Sequence, residues 1–188
     1  MSKKLSTEQI IAGCRKGQPA FQRALVDNYS EMLYSICLRY TGNPTHAQDV
    51  LQDAFIRIFK YFNKYDPKKG AISTWMRRVT VNVALKTIQK KRLDLVSIEN
   101  QTNEIHSTTP DAMDHLSHQD LMKLVMSLPE GYRQVFNLNV IDGYSHREIA
   151  DLVGIKEVTS RSNLSRAKQI LRNKLNKLKI VDPWINSI

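Results

Sequence analysis

Residues 145–171, SHREIADLVGIKEVTSRSNLSRAKQIL, predict two short helices joined by a tight turn. Ser145 and Glu148 have the spacing of a capping box at the start of the first helix. Gly154 follows Ala150 by four residues. A helix-turn-helix needs a small residue where its helices cross and a glycine that can adopt a left-handed conformation in the turn. The second helix is predicted to begin near Thr159, and its inward-facing residues are predicted to be Leu164, Ala167, Ile170 and Leu171.

The outward face of this second helix is polar and cationic, and its residues are Thr159, Arg161, Ser162, Ser165, Arg166 and Lys168. An arginine can donate two hydrogen bonds to a guanine edge in the major groove, and serine and lysine suit phosphates or bases. The alternative is a pair of ordinary packed helices with a solvated basic face. The chain has 28 Lys and Arg against 18 Asp and Glu, a net charge of +10. This excess favours DNA binding.

The charges divide the chain into two basic blocks, residues 57–92 and 156–179, on either side of residues 93–122, which contain no Lys or Arg. Residues 93–115 are polar, contain Pro110 and lack a helical or strand period. We interpret them as a flexible linker. A surface loop within one domain is the alternative, but loops of this length are uncommon in compact folds. We therefore predict domains at residues 1–92 and 116–182 and a tail at 183–188.

The periodicity of the remaining sequence predicts an all-α fold, since no alternating segment of useful length indicates a strand. Ser6 and Gln9 predict a capped first helix, and Pro19 suits the first turn of a second helix that ends at Gly42. Thr45 and Gln48 predict the cap of a third. A fourth helix is expected from Ser73 or Thr74 to about Arg92. After the linker, one helix should stop before Pro129 and another should span Tyr132 to about Ile141.

Several classes of function are not indicated by the sequence. No run approaches the ~20 apolar residues that cross a bilayer, and the N-terminus, MSKKLSTEQII, lacks the apolar core of a signal peptide. Cys14 and Cys37 form no CxxC motif. Asp49 and Asp53 could share a metal and His115 and His118 could bind zinc, but neither pair has a complete ligand set. We expect a cytoplasmic protein that is not an enzyme and has no metal or cofactor.

Two further faces in the first domain suggest binding. Asp49, Gln52, Asp53 and Ile56 share the face of the third helix opposite its apolar stripe, and plain solvent exposure is the alternative. Beyond that helix, four aromatic residues are interleaved with cations, a composition that suits single-stranded DNA; the aromatics are Tyr61, Phe62, Tyr65 and Trp75, and the cations are Lys64, Lys68, Lys69, Arg77 and Arg78. The alternative is that Phe62 and Trp75 belong to the core. We expect this for Phe62, and a binding role for Tyr65.

Three segments occur in a diagnostic order: DVLQDAFIRIF at 49–59, STWMRRVTVN at 73–82, and residues 128–168, from LPEGYRQVF to SRAK. Together they resemble the extracytoplasmic-function sigma factors of bacterial RNA polymerase. The first resembles that family's polymerase-clamp helix, the second its promoter-melting segment, and the third its C-terminal DNA-binding domain. The resemblance implies a transcription initiation factor that directs core RNA polymerase to promoters.

The resemblance also implies roles for individual residues. Asp49, Gln52, Asp53 and Ile56 would bind the polymerase. Tyr65, Lys68, Lys69, Trp75, Arg77, Arg78 and Asn82 would hold the melted −10 element. Thr159, Arg161, Ser162, Ser165, Arg166 and Lys168 would read the −35 element as duplex. The implied partners are the β and β′ subunits of core RNA polymerase, promoter DNA and an anti-sigma factor, often membrane-bound.

The chain departs from the family pattern at Val158, where a small residue is common, and at Ser160, where an apolar residue is common. A polar side chain in a core position costs free energy unless it is hydrogen-bonded. A shift of one residue would bury Val158 but would break the spacing of Leu164 and Ala167, so we predict the unshifted register. Lys86 and Gln89 also stand where the family commonly has Asp and Arg.

Two rival functions remain for this sequence. One is a ligand-sensing regulator that binds duplex DNA without polymerase, and the other is an enzyme acting on nucleic acid.

Overall fold

The computed structural model describes residues 5–96 and 118–177, and all regular secondary structure in these ranges is helical. The chain divides near Leu93 into two compact units, which confirms the predicted all-α fold with two helical domains. The first unit contains α1 (Thr7–Arg15), α2 (Pro19–Thr41), α3 (Pro44–Lys60), 3-10 turns at Phe62–Lys64 and Pro67–Lys69, and α4 (Ile72–Val96). The second contains α5 (His118–Met126), α6 (Glu130–Phe136), a π-helical turn (Asn137–Ile141), α7 (His146–Val153) and α8 (Glu157–Lys177).

Helix α1 begins with the predicted capping box. The hydroxyl of Ser6 accepts a hydrogen bond from the backbone N–H of Gln9 at 3.2 Å, and the Gln9 side chain accepts one from the N–H of Ser6 at 2.9 Å. Gly13 allows α1 to pack closely on α2, because a Cβ at this position would lie 2.1 Å from the ring of Phe21. The cap and this close contact together hold α1 against the core.

Helices α2 and α3 supply most of the core of the first unit. Leu25, Leu33, Ile36 and Tyr40 of α2 are at most 3% exposed, and α2 begins at Pro19 as predicted. The predicted cap of α3 at Thr45 is wrong. Asn43 caps this helix through a hydrogen bond from the His46 N–H, and Pro44 is its first residue. Asn at the cap followed by Pro at the first helical position is a strong helix start.

Helix α4 starts at Ile72, one or two residues before the predicted start at Ser73 or Thr74, and continues to Val96. The first four residues of the segment interpreted as a linker are therefore helical. The rest of that segment and the predicted tail at 183–188 lie outside the described residues. No helix within 5–96 or 118–177 is long and apolar enough to cross a membrane.

In the second unit, a buried arginine joins α5 to α6. Arg133 is 6% exposed, and its guanidinium donates a 2.9 Å hydrogen bond to the carbonyl oxygen of Met126, the last residue of α5. Burial lowers the pKa of this guanidinium. The sequence predicts a single helix from Tyr132 to Ile141, but α6 starts at Glu130 and passes into a π-helical turn that buries Asn137 and Leu138. Helix α6, positioned in this way, packs against α8.

Candidate binding surfaces

One face of α3 is exposed, acidic and partly apolar. Asp49, Gln52, Asp53 and Ile56 are all exposed, and their spacing of three and four residues places them on one side of the helix. The opposite side is buried through Val50, Ala54 and Ile58, among others. Within the described residues neither Asp49 nor Asp53 forms an ion pair. We call these four exposed residues the α3 face; it combines uncompensated negative charge with an isoleucine that is 58% exposed.

Three aromatic rings pack together where the first 3-10 turn meets α4. The ring centroids of Phe62 and Trp75 are 6.0 Å apart in an edge-on arrangement, and those of Tyr65 and Trp75 are 5.7 Å apart. Phe62 is 2% exposed, which confirms that it belongs to the core. Tyr65 is 5% exposed. Its ring therefore faces Phe62 and Trp75 instead of solvent in this structure, and the binding role of Tyr65 stays a prediction.

Tyr65 instead fixes the loop that follows it. Its hydroxyl donates a 3.1 Å hydrogen bond to the carbonyl oxygen of Gly70, and its own carbonyl oxygen accepts one from the guanidinium of Arg15 at 3.0 Å. Inside the loop, the carboxylate of Asp66 accepts a hydrogen bond from the backbone N–H of Lys68 at 3.0 Å. These contacts stabilise the observed conformation of the loop, in which Lys68 and Lys69 are exposed.

An open groove of about 430 Å³ runs between the end of α3 and α4, and we call it the aromatic groove. It is lined by Arg57, Tyr61, Lys64, Trp75, Val79, Asn82 and Lys86. The Tyr61 ring is one of its walls, with the charged groups of Arg57, Lys60 and Lys64 at 5.8, 5.8 and 4.9 Å from the ring centroid. A partly exposed ring surrounded by cations is a stacking surface beside positive charge, the combination that binds single strands.

Only part of the predicted single-strand set lines this groove. Trp75 and Asn82 do, because positions 75, 79, 82 and 86 share one side of α4. Arg77 and Arg78 are exposed but do not line it. Arg77 lies two residues after Trp75, which is more than half a helical turn, so it lies on the opposite side of α4 from Trp75. Tyr61 was among the aromatics that the sequence singled out, but neither it nor Lys86 was assigned to the −10 element, because their contribution depends on how α3 and α4 pack.

A second groove continues along the same two helices and shares Arg57, Tyr61 and Lys86 with the first. It adds Lys60 and Lys90 as further cations and reaches Asp53 and Ile56 of the α3 face. The acidic face and the cationic grooves are therefore adjacent on the same pair of helices. A partner bound to the α3 face would lie beside any strand bound in the grooves.

In the second unit, α7 and α8 form the predicted helix-turn-helix. The capping box of Ser145 and Glu148 is present, and Gly154 adopts a left-handed conformation with φ of 75°. Helix α8 begins at Glu157, two residues before the predicted start. Thr159, Arg161, Ser162, Ser165 and Arg166 are exposed, and Lys168 is partly exposed. The structure thus places the predicted set on the outward side of one helix.

The register of α8 is set by a buried polar contact. Ser160 is fully buried, and its hydroxyl lies 2.9 Å from Nδ1 of His146 on α7. Val158 is 76% exposed. The predicted unshifted register is confirmed, and the hydrogen bond to His146 explains how a serine is accommodated in the core.

Two arginines of the outward face are already positioned by neighbouring side chains. Arg161 forms an ion pair with Glu157 one turn earlier on α8. The guanidinium of Arg166 donates a hydrogen bond of 3.3 Å to the hydroxyl of Tyr132 on α6. Such contacts restrict long side chains before a ligand arrives, which lowers the entropy lost on binding.

Comparisons with known proteins match one family model within each of the two compact units. A family model described as sigma-70 region 2 matches residues 25–93, and one described as sigma-70, region 4, matches residues 118–171. The first match contains the α3 face and the aromatic groove, and the second contains the helix-turn-helix. Together the two matches span well over half of the chain.

Two similar proteins also carry sigma-factor descriptions. The chain is 30% identical over 158 residues to the ECF RNA polymerase sigma factor SigE of Mycolicibacterium smegmatis, covering 81% of this chain and 61% of that protein. It is 28% identical over 180 residues to the ECF RNA polymerase sigma factor SigW of Bacillus subtilis, covering 89% and 96%.

A solved structure shares the fold. The sigma factor RpoE from Bartonella quintana, determined in complex with the anti-sigma factor NepR, matches with a TM-score of 0.55 at 18% identity, covering 82% of this chain and 96% of that one. From the two matched regions and these relatives, the chain belongs to the extracytoplasmic-function group of the sigma-70 family, the transcription initiation factors that direct RNA polymerase to promoters.

Proposed function

We propose that the first predicted domain, residues 1–92, docks on core RNA polymerase and holds the melted −10 element, and that the second predicted domain, residues 116–182, reads the −35 element as duplex. The segment 93–115, whose first four residues extend α4, would join the two. The observation that carries this proposal is the adjacency, on α3 and α4, of an exposed acidic face and a cationic groove lined by Tyr61. One surface suits a basic protein partner and the other suits an unpaired strand.

Docking is assigned to the α3 face. Asp49 and Asp53 present carboxylates that form no ion pair with any residue that the structure describes, so binding need not break such a contact. Ile56 adds apolar area next to them, and Gln52 adds hydrogen-bonding capacity. Complementary charge speeds the association of two proteins and fixes their orientation. We assign the partner surface to the β and β′ subunits of the polymerase.

Strand binding is assigned to the aromatic groove and the loop beside it. A base stacked on Tyr61 would lie among Arg57, Lys64 and Lys86, whose charges follow the phosphate backbone. Lys68 and Lys69 would contact phosphates from the loop that Tyr65 holds, and Asn82 would contact a base. Arg77 and Arg78 would contact the backbone outside the groove. Taking a base out of the duplex costs a few kcal/mol, which binding to polymerase would offset.

Duplex reading is assigned to the outward side of α8, which suits the major groove in size and charge. Arg161 and Arg166 would contact base edges, and Thr159, Ser162, Ser165 and Lys168 would contact bases or phosphates. The factor itself would carry no catalytic step. We place it in the cytoplasm, with the polymerase and the DNA, and we infer an anti-sigma partner, as in the complex of the Bartonella protein with NepR.

Transcription in vitro tests the proposal as a whole. Purified core polymerase, the full chain and genomic fragments should give RNA with defined start sites, and core polymerase alone should give none at those sites. The rival regulator predicts tight binding to duplex DNA without polymerase. Failure of the chain to bind core polymerase or to start RNA chains would contradict the proposed function.

Replacing Tyr61 by Ala should impair promoter opening. Base stacking on an aromatic ring contributes about 1–3 kcal/mol per base, so we expect roughly a 5-fold to 150-fold weaker open complex. The permanganate reactivity of unpaired thymines at the start site measures how much open complex forms. Tyr61→Phe keeps the ring and should retain most of the opening. Equal loss in both variants, or no loss in Tyr61→Ala with normal folding, would contradict the assignment.

A further inference from the structure

The most exposed large apolar side chain among residues 5–90 and 120–177 is Val158, at 76%. It is the second residue of α8, and its exposure leaves it little packing. A β-branched residue also brings no advantage to the first turn of a helix, because its side chain loses rotamer freedom there. The stability of the fold therefore gives no reason for valine at this position.

The position of Val158 on α8 places it beside the residues assigned to base reading. Arg161, Ser162 and Ser165 follow it by three, four and seven residues, so all four share one side of the helix. That side faces away from the core because Ser160, Leu164 and Ala167 are buried on the other. The hydrogen bond between Ser160 and His146 fixes this arrangement. Val158 is therefore an apolar group placed among the polar residues assigned to base reading.

We propose that Val158 contacts the C5-methyl group of a thymine in the −35 element and is a specificity-determining residue; this rests on the proposed function. The major groove presents hydrogen-bonding groups on every base pair, and the thymine methyl is the apolar group that a side chain can recognise there. The first residues of a recognition helix contact base edges in helix-turn-helix proteins. The isopropyl group of Val158 has the size and position for such a contact.

Charge favours DNA over a protein as the occupant of this surface. Arg161 and Arg166 lie on the same side of α8 as Val158 and are exposed. An apolar group flanked by arginines suits a polyanion with embedded methyl groups better than it suits an apolar protein surface. A contact with polymerase or with an anti-sigma factor is the competing explanation.

The test compares thymine with deoxyuridine, which differs only by the methyl group. The holoenzyme, core polymerase with the full chain, is bound to a promoter that it transcribes, and each −35 thymine is replaced in turn. At one position deoxyuridine should weaken wild-type binding about fourfold, which corresponds to about 0.8 kcal/mol. Val158→Ala should weaken binding to thymine DNA by a similar factor and should be insensitive to deoxyuridine at that position. Val140→Ala, at a second exposed valine outside α8, is the control and should leave binding unchanged.

Two results would overturn the inference and leave the proposed function intact. In the first, transcription is normal but the methyl group proves irrelevant. This is seen when no deoxyuridine substitution changes wild-type binding, or when Val158→Ala weakens binding equally to thymine DNA and to deoxyuridine DNA. In the second, Val158→Ala weakens the association with core polymerase without DNA, which assigns Val158 to a protein contact. A chain that does not recruit polymerase or start RNA at all would contradict the proposed function itself.

Discussion

The double charge reversal Asp49→Lys with Asp53→Lys is expected to abolish binding to core RNA polymerase, with affinity lowered by more than about 100-fold. Placing like charges against each other across an interface costs several kcal/mol. Both side chains lie one turn apart on the α3 face, so the two reversals act on the same part of a partner surface. Co-purification with core polymerase and a direct affinity measurement provide the readout.

The fold should survive this change. Both aspartates are exposed and neither forms an ion pair within the described residues, so no buried charge is left unpaired. Substitutions at such surface positions usually change the free energy of unfolding by less than about 0.5 kcal/mol. Thermal unfolding followed by circular dichroism should therefore resemble that of the wild type.

A matched control separates docking from net charge. Asp27 and Glu31 are exposed, four residues apart and on α2, so Asp27→Lys with Glu31→Lys makes the same charge change with the same helical spacing. This control should retain polymerase binding. Equal losses in both double variants would indicate a general charge effect, and unchanged binding by the α3 variant would remove the docking assignment.

The helix-turn-helix could be predicted from the sequence because its determinants are local. The capping residues, the turn glycine and the apolar spacing all lie within residues 145–171. Even the departure at Ser160 was resolved by spacing, since a shifted register would have moved Leu164 and Ala167 out of the core. What the sequence did not indicate was the partner of Ser160, because His146 lies fourteen residues away on another helix.

The −10 surface was less predictable because it depends on packing between elements. The orientation of the Tyr65 ring is set by Phe62 and Trp75, and no periodicity indicates that a loop tyrosine turns inward. The position of Tyr61 in the wall of both grooves follows from the approach of α3 to α4. The error at the start of α3 is different, because Asn43-Pro44 carries a local signal that the spacing of Thr45 and Gln48 obscured.

Replacing Arg161 or Arg166 by Ala is expected to weaken recognition of the −35 element by about 1–3 kcal/mol each, the range for loss of a bidentate contact with a base. The structure adds a distinction between the two. Arg161 is held by Glu157 on its own helix, and Arg166 is held by the Tyr132 hydroxyl from α6. Tyr132→Phe should therefore reproduce a small part of the Arg166 loss and leave the Arg161 contact unaffected.

Base reading and phosphate contact can be separated by the charge-conserving variants. Arg161→Lys keeps the positive charge but loses the planar pair of donors. A base-reading Arg161 should not be rescued by lysine, and its loss should relax the preference at one base pair. A phosphate contact would be largely rescued, and its loss would weaken all sequences alike. Arg172→Ala, an exposed arginine three turns further along α8, should leave base preference unchanged. If neither Arg161→Ala nor Arg166→Ala alters the preference of the holoenzyme for any base pair, α8 is not the reading helix.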